Sequence, residues 1–460
     1  MNEQMERYFE GLRGKHAAVL GLGISNRPLV RLLLSHGVHV LGCDMATRDQ
    51  LDPEVLELEA QGLQLKLGPD YLENIHADVA FRTPGLHPER PELVRIREEG
   101  TEMTSEMEVF FQVCPCTIIA VTGSDGKTTT TTLISEILKQ AGKTVWVGGN
   151  IGRPLLPLAS EMSPEDVAVV ELSSFQLLDM KHSPHVAVIT NLAPNHLDVH
   201  RDMAEYVAAK ENVYLHQESG DVVVLNADNE ITHSFCNKAR GRVLEFSRQT
   251  CPDAGVYLEN GVIWRAGPQP EAILRQEDIF IPGIHNVENY MAAICAVEGL
   301  ASDEDVRTVA KSFGGVEHRI ELVRVKDGVR FYNDSIASSP SRTIAGLRSF
   351  PEKIILIAGG YDKHIPYDVL GPEIVEHVKT LVLTGATAPK IRKAVEVAPD
   401  FRPGRPNIVD VEDFYDAIHT AASLAKSGDV VMLSPASASF DHFRNFMVRG
   451  NAFKKTVMEL

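Results

Sequence analysis

The sequence predicts an α/β protein of three domains, built from mainly parallel sheets with crossover helices. Short apolar runs alternate with amphipathic stretches almost throughout the chain, which is the pattern of strand–helix–strand units. Two of these runs lead directly into a glycine turn, HAAVLGLG near the beginning and CTIIAVTGSDGK at residues 116–127. The chain has 460 residues, well beyond the roughly 250–300 at which a single hydrophobic core stops growing. Length therefore predicts two or three domains, and the pattern favours three.

The first unit opens with the strand HAAVL and a glycine turn that begins at Gly21. A helix over residues 28–36 follows, and then the strand VHVLGCD, which ends at Asp44. A GxG turn with an acid at the end of the next strand is typical of dinucleotide-binding domains, but Arg27 stands near the usual third small residue. A lone GxG pair is a weak signal, so the pattern leaves the ligand of this domain open.

The second unit carries the clearest chemical motif, Gly123-Ser-Asp-Gly126-Lys127-Thr128, between an apolar strand and a helix. Glycines let the backbone turn tightly and present N–H groups to a polyphosphate at a helix start. In such loops the lysine reaches the β- and γ-phosphates and the hydroxyl binds Mg²⁺. The spacing departs from GxxxxGK[ST], because Val121 stands where the first glycine is expected. A glycine-rich turn that caps a helix, with a solvated lysine, is the less favoured alternative.

Downstream residues suggest a metal site. Glu171 ends the apolar run at residues 167–170, so it should lie at the carboxyl edge of a buried parallel strand, where α/β sheets bind ligands. Mg²⁺ prefers oxygen ligands such as a carboxylate, although a solvated or helix-capping acid is the alternative. His196 follows the next strand, but histidine is an unusual ligand for Mg²⁺, so the residues alone favour a loop histidine. Lys210, on a predicted helix, is on the same grounds a surface lysine whose stem lies along apolar neighbours.

A third series of elements follows Gly314-Gly315, a plausible hinge. We predict its strands at residues 329–333, 353–358, 380–384 and 429–433. Boundaries near residues 112 and 317 divide the chain into domains at 1–112, 113–317 and 318–460. The first and third have the alternation of Rossmann-like domains, and the central one is a P-loop-type ATP-binding domain with a mainly parallel sheet.

Composition argues against several classes of partner. The formal net charge of −18 argues against a general nucleic-acid binder. The sequence has no apolar run of about 18 residues, and its charged start lacks the apolar stretch of a secretory signal, so we expect no membrane partner. Its six cysteines are scattered, and Cys114-Pro-Cys116 lacks a second pair for a metal site, which favours core and loop thiols. These features predict a cytoplasmic protein.

Taken together, the motifs resemble those of the Mur ligases and the related folylpolyglutamate synthases. VTGSDGKTTTT is similar to the ATP loop of this family, and the likeness extends over all three domains. The other similar segments are GGNIG at residues 148–152, ELSSFQL at 171–177, NLAPNHLDVH at 191–200, YVAAK at 206–210, GIHNVENYMAA at 283–293, EHRIE at 317–321 and YNDSIASSP at 332–340. The segment SPASASFDHFRNFMVRGNAF at 434–453 resembles the family members that add D-glutamate.

The resemblance implies an ATP-dependent ligase that joins D-glutamate to UDP-N-acetylmuramoyl-L-alanine through an acyl phosphate, in the cytoplasmic assembly of peptidoglycan. It implies ATP and two Mg²⁺ ions, a carbamate formed from CO₂ on Lys210, and a monomer as the working form. A carbamate is an anionic oxygen ligand that Mg²⁺ accepts. The resemblance therefore reverses the interpretation of Lys210 as a surface lysine, and it matches His196 to the histidine near the second ion.

By residue, the resemblance assigns the following roles. The ATP contacts are Gly123, Ser124, Asp125, Gly126, Lys127, Thr128, Thr129, Asn286, Asn289, Arg319 and Asp334. The metal ligands are Thr128, Glu171, His196 and carbamylated Lys210, and the catalytic residues are Lys127, His196 and Lys210. The nucleotide-sugar contacts are Gly23, Ile24, Ser25, Asp44 and Asn150, and the acceptor contacts are Ser338, Lys363, Ser439 and Phe446.

Some positions depart from the family pattern. Ile336 replaces the usual lysine of DSKATN, which removes a positive charge near the acceptor amino acid, whereas Ser338 keeps a hydroxyl. Asp125 replaces the commoner asparagine and adds negative charge to the ATP loop.

Other functions stay open at this point. A folate polyglutamylating ligase or a Mur ligase with another acceptor amino acid shares the chemistry, and the C-terminal segment argues against both. A UDP-sugar sensor without catalysis would not need the full set of lysine and metal-binding residues. An NAD-dependent dehydrogenase rests on the weak GxG turn alone.

Overall fold

The computed structural model describes residues 2–194, 200–363 and 365–460. Over these ranges the backbone forms three sheets, of five, nine and six strands. Most neighbouring strands pair in parallel, as strand–helix–strand units require. The predicted α/β class with mainly parallel sheets is confirmed.

The first sheet consists of β1 (His16–Leu20), β2 (His39–Asp44), β3 (Gln64–Leu67), β4 (Val79–Arg82) and β5 (Glu102–Thr104). Its strands are parallel and lie in the order β3-β2-β1-β4-β5. The order reverses between β1 and β4, so the carboxyl ends of these two strands flank the crevice where such sheets bind ligands. The helices of this part are α1 (Glu3–Glu10), α2 (Asn26–Ser35), α3 (Pro53–Ala60), α4 (Pro91–Glu98) and α5 (Glu106–Val113).

The second sheet contains β6 (Thr117–Thr122), β7 (Val145–Gly149), β8 (Val167–Glu171), β9 (Val186–Ile189), β10 (Val222–Asn226), β11 (Arg242–Ser247), β12 (Gly255–Glu259), β13 (Val262–Arg265) and β14 (Glu271–Arg275). Its order is β14-β13-β12-β11-β10-β9-β6-β8-β7, with antiparallel pairing at β12–β13 and β13–β14. The inner strand β8, with sequence VAVVE, is buried along its whole length, as expected of a parallel strand covered on both faces. The helices are α6 (Lys127–Gln140), α7 (Ser174–Leu177), α8 (Met203–Leu215), α9 (Glu230–Ser234), α10 (Ile284–Ala296) and α11 (Asp303–Ser312).

The third sheet contains β15 (Glu321–Lys326), β16 (Val329–Asn333), β17 (Ile354–Ala358), β18 (Val378–Leu383), β19 (Asn407–Asp410) and β20 (Val430–Leu433). Its order is β15-β16-β20-β17-β18-β19, and the pair β15–β16 is antiparallel. The four strands predicted from residue 329 onward correspond to β16, β17, β18 and β20. The helices are α12 (Pro340–Leu347), α13 (Leu370–His377), α14 (Ala388–Glu396), α15 (Phe414–Leu424) and α16 (Phe446–Glu459).

The chain divides into two compact units. The first comprises Met1–Asp278 and Glu288–Val309, and the second comprises Ile279–Val287 and Ala310–Leu460. The first unit contains the first and second sheets, and the second unit contains the third sheet. The domain boundaries near residues 112 and 317 stay predictions.

Within the first unit, one apolar core runs from the first sheet to the second. Phe9 and Leu33, from the helices of the first sheet, belong to the same buried cluster as Phe110 and Leu156. Asn2 adds a polar tie, because its Nδ2 donates to the carbonyl of Val113 at 2.6 Å. None of the described helices combines the length and apolarity that a membrane crossing requires.

Candidate active site

The loop between β6 and α6 has the geometry of a phosphate cradle. Gly123 and Gly126 have φ angles of +146° and +79°, in the region that favours glycine. A Cβ atom on Gly123 would lie 2.0 Å from Thr190 Oγ1, and one on Gly126 would lie 2.4 Å from Asn289 Oδ1. Glycine is therefore required at both positions, and α6 begins directly afterwards at Lys127.

Lys127 is folded over this loop. Its Nζ donates hydrogen bonds to the carbonyl oxygens of Gly123 and Ser124, each at 2.9 Å. The side chain of Asp125, next in the loop, is exposed. Rotation of the flexible lysine side chain would carry its ammonium from these carbonyls to phosphate oxygens held by the same loop.

Glu171 ends β8, the strand beside β6, and its side chain is buried. Its Oε1 accepts a hydrogen bond from Nδ2 of the exposed Asn150 at 2.9 Å. Its Oε2 is buried without a hydrogen-bond partner among the described residues. A buried carboxylate oxygen without a partner is unfavourable unless a donor or a cation meets it. This oxygen fits the preference of Mg²⁺ for oxygen ligands.

Lys210 lies in the core, with 1% of its surface exposed. Its Nζ donates to Thr122 Oγ1 at 3.0 Å and lies 5.1 Å from the ring centroid of Tyr206. Burial, together with the charge of Lys127, lowers the pKa of Lys210 far below its ordinary value, although Glu171 opposes this change. The interpretation of Lys210 as a surface lysine is wrong, and its surroundings favour the neutral form of the amine, which is the form that reacts with CO₂.

The predicted metal ligands come from neighbouring elements. Thr128 is half-buried in the first turn of α6, with Thr129 buried beside it. Glu171 ends the strand next to β6, and Lys210 bonds the last residue of β6. His196, the remaining predicted ligand, lies outside the described residues. The unpaired oxygen of Glu171 and the buried amine of Lys210 fit a cation site completed by a carbamate.

Two asparagines predicted to contact ATP lie on α10. Asn289 Oδ1 accepts a hydrogen bond from Thr130 Oγ1 at 3.3 Å, and it is the atom that limits space at Gly126. Asn289 thus touches the phosphate loop within the first unit. Asn286 belongs to the second unit, where its Nδ2 donates to the carbonyl of Pro282 at 2.5 Å.

Arg319 lies in a strained turn of the second unit. The residues on either side of it, His318 and Ile320, have φ angles of +64° and +43°, which are unfavourable for β-branched and bulky side chains. Asp334 receives hydrogen bonds from Ser434 Oγ at 2.7 Å and from the Ile320 amide at 3.3 Å. Burial raises the pKa of Asp334 to about 7, although the Ser434 hydroxyl and the Arg319 charge lower it. Strain of this kind is typical of functional sites.

The predicted acceptor contacts all belong to the second unit. Lys363 is exposed, with its Nζ 5.8 Å from the ring centroid of Phe440, next to the buried Ser439. Phe446 begins α16, and Ser338 is half-buried after β16. Among the residues with described positions, no hydrogen bond or ring contact joins any two of the four predicted contacts, so the acceptor pocket stays a prediction.

Arg449 is a candidate functional residue of the second unit that sequence reasoning missed. This residue of α16 is 2% exposed, and its Nη1 donates to the carbonyls of Ser437 and Ala438 at 3.1 and 2.9 Å. Its Nε donates to Ser335 Oγ at 3.0 Å. Burial lowers the pKa of Arg449 to about 10. The arginine joins α16 to the loops after β16 and β20, and its place in the C-terminal motif was its one sequence signal.

In the first sheet, Asp44 supports the glycine turn. Its Oδ2 accepts a hydrogen bond from the Leu22 amide at 2.8 Å. Gly23, Ile24 and Ser25 form the exposed end of the turn, at the crevice between β1 and β4. All three residues directly precede α2, so their amide groups are placed at a helix start, where anions bind.

Comparison with known sequences gives a consistent result. The model of the Mur ligase middle domain matches residues 121–297, and that of the Mur ligase glutamate ligase domain matches residues 318–437. A UDP-N-acetylmuramoylalanine–D-glutamate ligase of Acetivibrio thermocellus is 50% identical over 462 residues, covering 99% of each chain. The protein of the same name from Clostridium novyi is 48% identical over 461 residues and covers 100% of each chain.

Solved structures support the same fold. The UDP-N-acetylmuramate-alanine ligase of Thermotoga maritima aligns with a TM-score of 0.58 at 18% identity, over 97% of this chain and 99% of that one. MurF of Acinetobacter baumannii aligns with a TM-score of 0.59 at 17% identity, over 97% and 91%. The relatives cover the whole length at about half identity and the family models span the central and third parts. The chain therefore belongs to the Mur ligase family, on the branch of the UDP-N-acetylmuramoylalanine–D-glutamate ligases.

Proposed function

We propose that the chain catalyses the ATP-dependent joining of D-glutamate to UDP-N-acetylmuramoyl-L-alanine, a cytoplasmic step of peptidoglycan synthesis. The observation that carries this proposal is the juxtaposition of the phosphate loop, the partnerless oxygen of Glu171 and the buried amine of Lys210. The names of the relatives that cover the full chain support the same reaction.

In the first step, an oxygen of the alanine carboxylate attacks the γ-phosphorus of ATP. A carbon–oxygen–phosphorus link forms, the bond from the bridging oxygen to the γ-phosphorus breaks, and ADP leaves. Such transfers depend on alignment and charge neutralisation. The amides of the loop from Gly123 to Gly126 would hold the phosphates, and Lys127 would turn from its two carbonyl partners to the β- and γ-oxygens.

Thr128, Glu171, His196 and carbamylated Lys210 are the proposed ligands of two Mg²⁺ ions. Bound Mg²⁺ would neutralise phosphate charge and help to orient the reacting oxygens. In its neutral form, the amine of Lys210 attacks CO₂ and loses a proton, which replaces a buried amine by an anionic oxygen ligand. The Thr122 hydroxyl, which bonds the Lys210 nitrogen, would keep this side chain in place.

In the second step, the amine of D-glutamate attacks the acyl carbon, phosphate leaves, and the nitrogen loses a proton. Lys363, Ser338, Ser439 and Phe446 are the proposed contacts of the acceptor amino acid. Gly23, Ile24, Ser25, Asp44 and Asn150 are the proposed contacts of the nucleotide sugar, and Asn286, Asn289, Arg319 and Asp334 those of ATP. We expect the chain to act as a monomer, without nucleic-acid or membrane partners.

The direct test is phosphate release by the purified protein with ATP, Mg²⁺ and UDP-N-acetylmuramoyl-L-alanine. D-glutamate, L-glutamate, L-alanine and diaminopimelate are offered in parallel, and release is expected with D-glutamate alone. Release with another amino acid would replace D-glutamate as the proposed acceptor. The comparison matters because Ile336 removes a positive charge that the family has near the acceptor. No release with any of the four would contradict the proposed reaction.

A further inference from the structure

Arg82 ends β4 of the first sheet and is 1% exposed, although it stands at an edge where such sheets bind ligands. Its Nε donates to Asp179 Oδ2 at 3.1 Å, and its Nη2 bonds the other oxygen of the same carboxylate. Nη2 also donates to the carbonyl of Phe175 at 3.3 Å. The guanidinium therefore binds Phe175, in α7, and Asp179, two residues after that helix, in the stretch that joins β8 to β9 of the second sheet.

The same guanidinium holds the loop that follows β4. Its Nη1 donates to the carbonyl of Leu86 at 2.7 Å and to that of Thr83 at 3.3 Å. Thr83 packs on the glycine turn after β1, since a Cβ atom on Gly21 would lie 2.8 Å from its Cγ2. Arg82 thus fixes the loop that packs against the proposed nucleotide-sugar turn after β1.

On the other side, contacts run from α7 to the phosphate loop. The Phe175 ring stacks on His200, with centroids 5.2 Å apart and planes 4° apart. His200 meets Tyr206 edge-on at 5.3 Å. The Tyr206 hydroxyl lies 2.9 Å from Ser124 Oγ in the phosphate loop, and its ring lies beneath Lys210. A continuous series of contacts therefore leads from Phe175 in α7, through His200 and Tyr206, to the phosphate loop and Lys210.

A second link joins the same two regions. His87, in the loop after β4, has its Nε2 3.4 Å from Glu205 Oε2. The same carboxylate oxygen lies 3.4 Å from His200 Nδ1. The loop after β4 therefore reaches His200 by two routes, one through Arg82 and one through His87.

We propose that Arg82 is a positioning residue that sets the nucleotide-sugar turn of the first sheet at a fixed distance from the phosphate loop and Lys210. The inference rests on the proposed ligase reaction, in which the sugar-linked carboxylate must meet the γ-phosphorus in line. A misplacement of about 1 Å can cost about 100-fold in rate. Arginine suits this role because its planar fork bonds a carboxylate and several carbonyls at once, which a lysine ammonium does not.

The test compares Arg82→Met, Arg82→Lys and the control Arg90→Met. Arg90 lies in the same domain and pairs with Glu92 at 3.0 Å on the surface. In Arg82→Met we expect kcat to fall about 100-fold with the KM for ATP changed less than about threefold. Arg82→Lys should recover little of this loss, and Arg90→Met should match the wild type.

A readout independent of turnover is amide hydrogen exchange in residues 83–87 and 174–180. Exchange there should rise about tenfold in Arg82→Met and stay unchanged in Arg90→Met. If Arg82→Met fails to fold, Asp179→Asn removes the charge partner alone, and the same split between kcat and the KM for ATP is expected.

An unchanged kcat in the folded variants, or an equal loss of ATP binding and turnover, would overturn the positioning role. A wild-type protein without ligase activity would instead contradict the proposed function. In that case the hydrogen-exchange comparison still decides whether Arg82 couples the two segments, and unchanged exchange would overturn the inference.

Discussion

At the scale of single residues, Lys210 depends on its surroundings for its chemistry. An ammonium group in this position would lie in the core beside the charge of Lys127, and both conditions favour the neutral amine. The orphaned oxygen of Glu171 stands at the end of the adjacent strand. A carbamate on the lysine would supply the further anionic oxygen that a cation at Glu171 requires.

The replacement Lys210→Ala should therefore lower turnover by about 100-fold or more, the usual effect of removing one group that stabilises charge in a transition state. Adding a short carboxylic acid such as formate should restore part of the rate, because its carboxylate can occupy the space of the carbamate. The measurement is phosphate release with and without the acid.

The matched control for this experiment is Lys139→Ala, at an exposed position of α6 where the lysine pairs with Glu136 at 2.8 Å. Its turnover should equal that of the wild type and show no response to formate. Full turnover of Lys210→Ala without added acid would rule out a role for the carbamate.

Lys363 is the exposed cation among the proposed acceptor contacts, and D-glutamate carries two carboxylates. Loss of one charge-assisted hydrogen bond costs about 1.5–3 kcal/mol, so Lys363→Ala should raise the KM for D-glutamate by about tenfold or more. The KM for ATP should change less than twofold, and Lys393→Ala, on the exposed face of α14, should change neither. Equal effects on both KM values in steady-state kinetics would place Lys363 elsewhere.

At the scale of elements, α6 offers a matched pair of glycines. Gly126 before the helix and Gly142 after it both have φ = +79°. A Cβ atom at Gly126 would lie 2.4 Å from Asn289 Oδ1, whereas one at Gly142 would have no described atom within 4 Å. The two replacements by alanine therefore share the backbone strain, about 1–2 kcal/mol, and differ in the contact with the loop.

We expect Gly126→Ala to raise the KM for ATP at least tenfold, because the added methyl group displaces Asn289 or reshapes the loop. Gly142→Ala should lower the thermal midpoint to a similar or smaller extent and leave the KM unchanged. Steady-state kinetics and thermal denaturation of both variants provide the comparison. Equal KM values in the two variants would show that the loop tolerates a side chain there and does not hold the phosphates.

Helix α5 carries a pH-dependent element, since Glu106 at its start is buried. Burial raises the pKa of Glu106 from its ordinary value of 4.5 to about 7, although the hydrogen bond from the Leu156 amide opposes the change. A carboxyl group with a raised pKa in the folded state contributes fully below its unfolded pKa. That contribution is lost as the pH rises from about 4.5 through about 7.

Glu106→Gln should consequently match the wild type near pH 4.5 and exceed it at pH 8 by up to about 3 kcal/mol in the free energy of unfolding. Urea denaturation followed by tryptophan fluorescence measures this difference, since Trp146 and Trp264 both belong to the first unit. Glu102→Gln, at an exposed position of β5, should shift stability by no more than about 0.5 kcal/mol. A wild type and Glu106→Gln variant with the same pH dependence would contradict the prediction.

The elements differ in how far the sequence could predict them. Apolar residues fill β17 and all of β8 except Glu171, and because both faces of an inner parallel strand are covered, their burial follows from the sequence itself. The phosphate loop was equally visible, since Gly123, Gly126, Lys127 and Thr128 stand close together where a strand leads into a helix. The place of Lys210 was not, because its partner Thr122 lies 88 residues earlier and comes near only through the sheet.

At the scale of the whole molecule, the buried arginines depend on long-range contacts that local sequence patterns do not predict. Arginine is rarely fully buried unless paired, so neither Arg82 nor Arg449 is expected in a core from composition. Arg82 meets Asp179, which lies 97 residues further along the chain. Arg449 reaches Ser335, 114 residues away. Long-range pairs of this kind follow from the order of strands in a sheet, which the alternation of elements does not determine.

The division into two compact units leads to a prediction about ligand effects on stability. The proposed contacts of the nucleotide sugar belong to the first unit, and β17 and β18 belong to the second. A ligand at 100 times its Kd adds about 2.7 kcal/mol to the free energy of unfolding of whatever it binds. UDP-N-acetylmuramoyl-L-alanine alone should then slow amide exchange by about 100-fold in β1 and β8.

In β17 and β18 the same ligand should leave exchange unchanged, because these strands unfold with the other unit and gain nothing from the binding energy. Hydrogen exchange with mass spectrometry, with UDP-N-acetylglucosamine as a control for the uridine diphosphate part, resolves the strands separately. Equal slowing in both sets of strands would mean that the chain unfolds as one cooperative body. No slowing in β1 would mean instead that the first sheet does not receive the nucleotide sugar, because a ligand cannot stabilise a unit that it does not bind.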